Sequence, residues 1–163
     1  YDPRLSHTED ALSLFIDRLT PVVEAAEKLG QTMAIEPVYT HIVSDGKRAR
    51  RVLDAIHSPN LQIILDPVNL LNVENLDRRE SVIAEAMELL ADDVAVVHVK
   101  DYVRRGESLT AVAAGTGEMD YRPLTRWIAA CKPYVQMTLE NTTVDTAENS
   151  RRMLEKLLEE AAR

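Results

Sequence analysis

Ile63-Ile64-Leu65-Asp66 is an apolar run that stops on a metal-type ligand, and the chain repeats this design three more times: Ala34-Ile35-Glu36, Val96-Val97-His98 and Met137-Thr138-Leu139-Glu140. The four end residues are 30, 32 and 42 positions apart. A strand with its crossover helix and two loops takes about 30 residues or more. One ligand therefore recurs per βα unit, at the carboxyl end of each strand. Parallel βα barrels build their active sites at that end, from side chains of several strands. Glu36, Asp66, His98 and Glu140 brought together there make a hard, oxygen-rich site. It suits one divalent cation such as Mn²⁺, Mg²⁺, Co²⁺ or Zn²⁺.

The segments between the strands read as helices. Residues 8–29 carry Leu12, Phe15, Ile16, Leu19, Val23 and Ala26 at helical spacing, with Thr8 as cap and Gly30 as stop. Pro21 should kink that helix or restart it with Thr20 as a new cap. A strand at about 32–38 precedes a helix at 45–57 capped by Ser44. Ile63, Ile64 and Leu65 predict a strand covered on both faces. A helix at 78–91, a strand at 94–99, a long loop at 101–119, a helix at 121–131 capped by Asp120 and a strand at 134–139 follow. Asp145 with Glu148 resembles a capping box for a last helix at 146–162. The order is a helix and then four βα units in a single domain, 1–163. Regular alternation argues for an α/β fold with a parallel sheet, half of an eight-stranded barrel.

Composition narrows the function. The net charge of −8 argues against a phosphate backbone as partner, because nucleic-acid binders usually show a basic face. Lys47-Arg48-Ala49-Arg50-Arg51 reads as the solvated face of a helix. Cys131 is the single cysteine, so no intrachain disulfide can form and a reducing, cytoplasmic location is expected. It continues the stripe of Leu124, Trp127 and Ile128 and is expected to be packed in the core. No apolar stretch approaches the ~20 residues of a membrane span. The first residue is Tyr1, not Met, and half a barrel leaves two unpaired sheet edges. About four strands are expected to precede Tyr1; the alternative is a homo-oligomer of half-barrels.

Ile35-Glu36-Pro37, Leu65-Asp66-Pro67-Val68-Asn69, Val97-His98-Val99-Lys100-Asp101, Gly115-Thr116-Gly117-Glu118-Met119-Asp120-Tyr121 and Leu139-Glu140-Asn141 occur in this order. Together they resemble the carboxyl-terminal half of the sugar phosphate isomerase/epimerase family, the xylose isomerase-like TIM barrels. That resemblance implies one divalent metal, manganese among the candidates, on Glu36, Asp66, His98 and Glu140. It implies that Glu36 and Glu140 double as acid and base on a sugar or sugar phosphate, moving a proton at carbon through a metal-stabilised enediolate. A carboxylate alone cannot remove so weakly acidic a proton, so the metal and the carboxylate pair belong together chemically.

Four further positions are assigned to substrate. Asn69 stands where epimerases and apurinic endonucleases of this group often carry a histidine, and can bond a substrate hydroxyl. Its replacement of that histidine speaks against a multi-zinc DNA-repair enzyme. Arg104 stands six residues after His98, where such epimerases place a residue of the substrate or metal region. His41 follows Glu36 by five residues. Lys100 lies at the rim, where a plain ion pair with Asp101 is the preferred structural reading. Gly115-Thr116-Gly117 reads as a turn rather than a phosphate cradle. Two alternatives accompany the isomerase/epimerase reading. One is an inosose-dehydratase-like lyase; the other is a catalytically inactive half-barrel that self-associates.

Overall fold

The computed structural model describes residues 2–163. In chain order the elements are α1 (Pro3–Ser6), α2 (Glu9–Lys28), β1 (Met33–Ile35), α3 (Gly46–Ile56), β2 (Leu61–Leu65), α4 (Arg79–Leu90), β3 (Val94–Val99), β4 (Asp101–Arg105), β5 (Ser108–Val112), α5 (Arg122–Cys131), β6 (Gln136–Leu139) and α6 (Val144–Ala161). Strands β1-β2-β3-β6 form one sheet in that order, all parallel. Each crossover carries a helix, so the expected α/β architecture holds: a partial barrel of four βα units. Two departures lie in the strand bounds: β1 and β6 are shorter than the strands expected at 32–38 and 134–139.

The two faces of the sheet differ. Leu61, Ile63 and Leu65 of β2 are buried, as are Val97 and Val99 of β3. They pack on Val52 and Leu53 of α3, Ile83 and Met87 of α4, and Leu124 and Ile128 of α5. Each such side chain stabilises the fold by about 1.5–3 kcal/mol relative to exposure. The alternate residues Gln62 and Ile64 are only half-buried. The expectation of a strand covered on both faces is therefore corrected. Helices cover one face, and the other is the open side that carries Glu36, Asp66, His98 and Glu140.

The segment 101–119 is not a loop throughout. Strands β4 and β5 form an antiparallel hairpin with Arg105 opposite Ser108, and Gly106 takes the turn at φ 60°. Helix α2 is also uninterrupted at Pro21. Thr20 is not a cap; its hydroxyl donates to Ile16 O at 2.8 Å, one turn back. Burial of Leu12, Val23 and Ala26 along the same helix offsets the hydrogen bond that proline cannot donate.

Three local expectations move by one or two residues. Asp45, not Ser44, caps α3 through Arg48 N at 2.9 Å. Thr143 and Thr146 form the capping box of α6, while Glu148 pairs with Arg151 and Arg152. Tyr121, not Asp120, is the N-cap of α5, and Asp120 one residue earlier accepts Arg122 N at 3.0 Å. Cys131 is exposed rather than packed in the core, because it is the last residue of α5, beyond the buried Leu124 and Ile128. The basic cluster divides: Lys47, Arg50 and Arg51 pair with Glu85, Asp93 and Glu9, whereas Arg48 is buried. Among the described residues no helix is long and apolar enough to cross a membrane.

Candidate functional site

Strand periodicity explains why the ligands meet. Successive side chains in a strand alternate faces. Ala34 pairs with Gln62, Ile64 with Val96, and His98 with Thr138. Glu36, Asp66, His98 and Glu140 each stand an even number of residues beyond these pairs or within one, so all four emerge on the open face. Asp66 and His98 come from the two inner strands. Glu36 and Glu140 come from the two outer strands and flank them.

One ligand atom each from Glu36, Asp66 and His98 lies within 4.8 Å of the other two. Glu140 stands outside that group of three but touches it. His98 Nδ1 is 3.0 Å from Glu36 Oε1 and 2.9 Å from Glu140 Oε1. One ring nitrogen carries at most one proton, so it cannot donate fully to both carboxylates. Asp66 has 0% of its side chain exposed. Its Oδ1 accepts the backbone N–H of Val68 at 2.9 Å and of Asn69 at 3.2 Å. Its Oδ2 lies 2.8 Å from Lys100 Nζ, an ion pair in the interior of the site. Burial pushes the Asp66 carboxyl above the ordinary carboxylate range, against the opposing pull of Lys100. Burial by itself would lower the Lys100 ammonium; its pairs with Asp66 and Glu140 outweigh that and raise it. The donor set is short of positive charge and rich in oxygen. It fits a divalent cation held by Glu36, Asp66 and His98, with Glu140 adjacent.

The residues assigned to substrate are dispersed. Asn69 Nδ2 donates to Glu36 Oε1 at 3.1 Å, which puts the amide directly against a ligand. His41 is half-buried and lines a hollow of about 260 Å³ together with Glu36, Phe15 and Ile42. Lys100 Nζ reaches Glu140 Oε2 at 2.7 Å as well as Asp66. The expected Lys100–Asp101 ion pair is therefore corrected. Lys100 continues the face of His98, level with Glu140, while the neighbouring Asp101 turns the other way. Arg104 lies exposed on β4, and its Nε donates to Gly106 O at 3.2 Å within its own hairpin.

Two residues without an assigned role support this arrangement. Tyr121 Oη donates to Lys100 O at 2.6 Å and is buried. Asp101 is buried and accepts four backbone N–H groups: Tyr102 and Met119 at Oδ1, Gly115 and Gly117 at Oδ2. The glycine-rich turn does cradle an anion, but the anion is the chain's own carboxylate. The only sequence signal for this was an aspartate just after an apolar strand, followed by two closely spaced glycines.

A parallel βα sheet with Glu36, Asp66 and His98 gathered at its carboxyl edge defines the class of protein. A family profile described as xylose isomerase-like TIM barrel matches residues 1–161, and the chain belongs to that family. Its fold is similar to a xylose isomerase-like TIM barrel protein from Mycobacterium smegmatis in complex with magnesium (14% identity, TM-score 0.71, 96% of this chain and 53% of that one). It is likewise similar to an L-ribulose 3-epimerase (16%, TM-score 0.70, 94% and 56%). A third such structure is the mannonate dehydratase of Streptococcus suis (14%, TM-score 0.71, 94% and 50%). The chain thus spans about half the length of the solved structures it matches. No curated protein matches it.

Proposed function

We propose that this chain carries the metal site and the acid/base pair of a sugar or sugar-phosphate isomerase or epimerase, as the carboxyl-terminal half of its barrel. The observation that carries the reading is the convergence of Glu36, Asp66 and His98 within 4.8 Å, with Glu140 against the same imidazole nitrogen. Glu36, Asp66, His98 and Glu140 would hold the ion. When bound, a divalent cation would polarise a carbonyl and its neighbouring hydroxyl, which acidifies the proton on the hydroxyl-bearing carbon next to the carbonyl.

The remaining work falls to the side chains. Glu36 and Glu140 come from opposite edges of the sheet, so a ketose seated between them meets one carboxylate on each side. One takes the proton from carbon; the other, protonated, returns a proton to carbon and leaves the opposite configuration. The Asn69 amide, fixed against Glu36, is placed to orient a substrate hydroxyl. Lys100, paired with Glu140, and His41, in the hollow beside Glu36, would contact the same substrate. A lyase is the second reading, favoured by the likeness to a mannonate dehydratase. There the same carboxylate takes the proton, and the second protonates a departing hydroxyl.

The test has two stages. Calorimetry with Mn²⁺ and Co²⁺ should give one-to-one binding that is lost in the His98→Ala, Glu140→Ala double variant. Ketoses incubated with the Mn²⁺ protein in D₂O should then gain deuterium at the carbon next to the carbonyl. Product analysis separates epimer from dehydrated product. No metal binding by the folded chain would overturn the reading.

A further inference from the structure

Lys100 is placed as no ordinary rim lysine is. Its ammonium stands 2.8 Å from Asp66 Oδ2 and 2.7 Å from Glu140 Oε2, with 9% of its side chain exposed. Its main chain is fixed from both sides: Tyr121 Oη donates to Lys100 O at 2.6 Å, and the next residue, Asp101, is held by four backbone N–H groups. Three carboxylates converge on this spot, and like charges in a partly dry environment repel strongly. His98 Nδ1 can supply one proton between two of them. Lys100 supplies the remaining positive charge.

The geometry points to Lys100 as a built-in counter-cation of the site, which shares Asp66 and Glu140 with the divalent ion and sets how tightly that ion is held. The inference rests on the metal reading above. Lys100 holds the carboxylates together in the metal-free protein, and an incoming cation must compete with it for Asp66 Oδ2. The ammonium thereby keeps metal affinity below what the carboxylates alone would give. It also makes the metal-free site a folded, closed state rather than a repelling cluster.

The experiment is Mn²⁺ calorimetry on the full chain and on Lys100→Met and Lys100→Gln, with Lys132→Met as a control for bulk charge. Lys132 is a suitable control because it is remote in role: its Nζ donates to Asp92 O at 2.9 Å, exposed. Both Lys100 variants should bind Mn²⁺ at least about tenfold more tightly than the parent, since one cation fewer faces the ion at short range. Their metal-free melting temperatures should fall, and Mn²⁺ should raise them by more than it raises the parent's. Lys132→Met should match the parent. Equal or weaker binding in the Lys100 variants, or equal tightening in Lys132→Met, would overturn the proposal while leaving the metal site intact. No Mn²⁺ binding by the parent or any variant would defeat the metal reading and this inference together. A Lys100 variant that folds only with Mn²⁺ present shows the same exchange of cations; one that folds under neither condition overturns it.

Discussion

Gly117 donates its backbone N–H to Asp101 Oδ2 at 3.0 Å, and the space its absent side chain leaves is filled by that same carboxylate. A Cβ on Gly117 would overlap Asp101 Oδ1 and Tyr102 O. The contact joins the glycine turn to the start of the β4–β5 hairpin, one residue past Lys100. Ser150 of α6 adds a second tether, donating to Ala114 O at 2.8 Å. Lys100 is thus set by a backbone clamp whose parts come from three separate elements.

Gly117→Ala should cost about 2–4 kcal/mol, because the new methyl group meets backbone and a fixed carboxylate rather than a flexible side chain. Urea unfolding followed by circular dichroism would measure it as a lower midpoint with unchanged slope. A midpoint within error of the parent's would show that the turn shifts freely.

Asp101→Asn keeps size and shape but replaces one accepting oxygen with an NH₂ that faces backbone donors. At least one buried N–H loses its partner, and charge-assisted bonds become neutral ones. A loss of about 3 kcal/mol is expected. Amide hydrogen exchange at Gly115, Gly117 and Met119 should accelerate well beyond that of β2, which localises the effect to the clamp.

The meeting of Glu36, Asp66, His98 and Glu140 was legible before the structure because strand period and βα spacing are long-range regularities. Four apolar runs ending in Glu36, Asp66, His98 and Glu140 survive small errors in strand bounds. The clamp was not legible, because hydrogen bonds from Gly115, Gly117 and Met119 to Asp101 leave no periodic trace. The hairpin was hidden by its own polarity: Arg104, Arg105 and Glu107 break the apolar alternation that marks a strand. The Gly106 turn between Arg105 and Ser108 was the one available signal. Cys131 was misjudged because a helical stripe tells which face is apolar, not where the surface it covers ends. Lys100 was paired with Asp101 by adjacency, although neighbouring strand residues point to opposite faces.

Arg48 was read as surface charge, yet it is a buried clasp. Its guanidinium donates to Ile42 O at 2.6 Å, His7 O at 3.1 Å and Thr8 O at 3.0 Å, which ties α1 and the start of α2 to the loop after β1. Arg48→Met keeps the aliphatic stem and removes every donor. Thr8 O keeps Leu12 N as a donor, whereas the half-buried Ile42 and His7 carbonyls lose theirs at about 1–3 kcal/mol each, so a total loss of about 3 kcal/mol is expected. Thermal melts should show it, and proteolysis should begin near residues 3–8. Lys47→Met, which removes only an exposed pair with Glu85, should change stability by less than about 1 kcal/mol.

Helix α6 offers a pH test outside the site. The Arg151 guanidinium, with Arg152 beside it, holds the Glu148 carboxyl down at about 2, from an ordinary value of 4.5. A carboxyl whose folded value is depressed binds protons more readily when unfolded. Its contribution is therefore complete above pH 4.5 and is lost as the pH falls toward 2. Glu148→Gln removes that dependence. The melting temperature of the parent should exceed that of the variant at pH 6. The gap should narrow steadily below pH 4.5, and 1 M salt at pH 6 should narrow it too, because these groups are exposed. The gain at pH 6 is small, since exposed pairs are screened by solvent. A gap that stays constant from pH 6 to pH 3 would mean that Glu148 acts by packing along α6 rather than by charge.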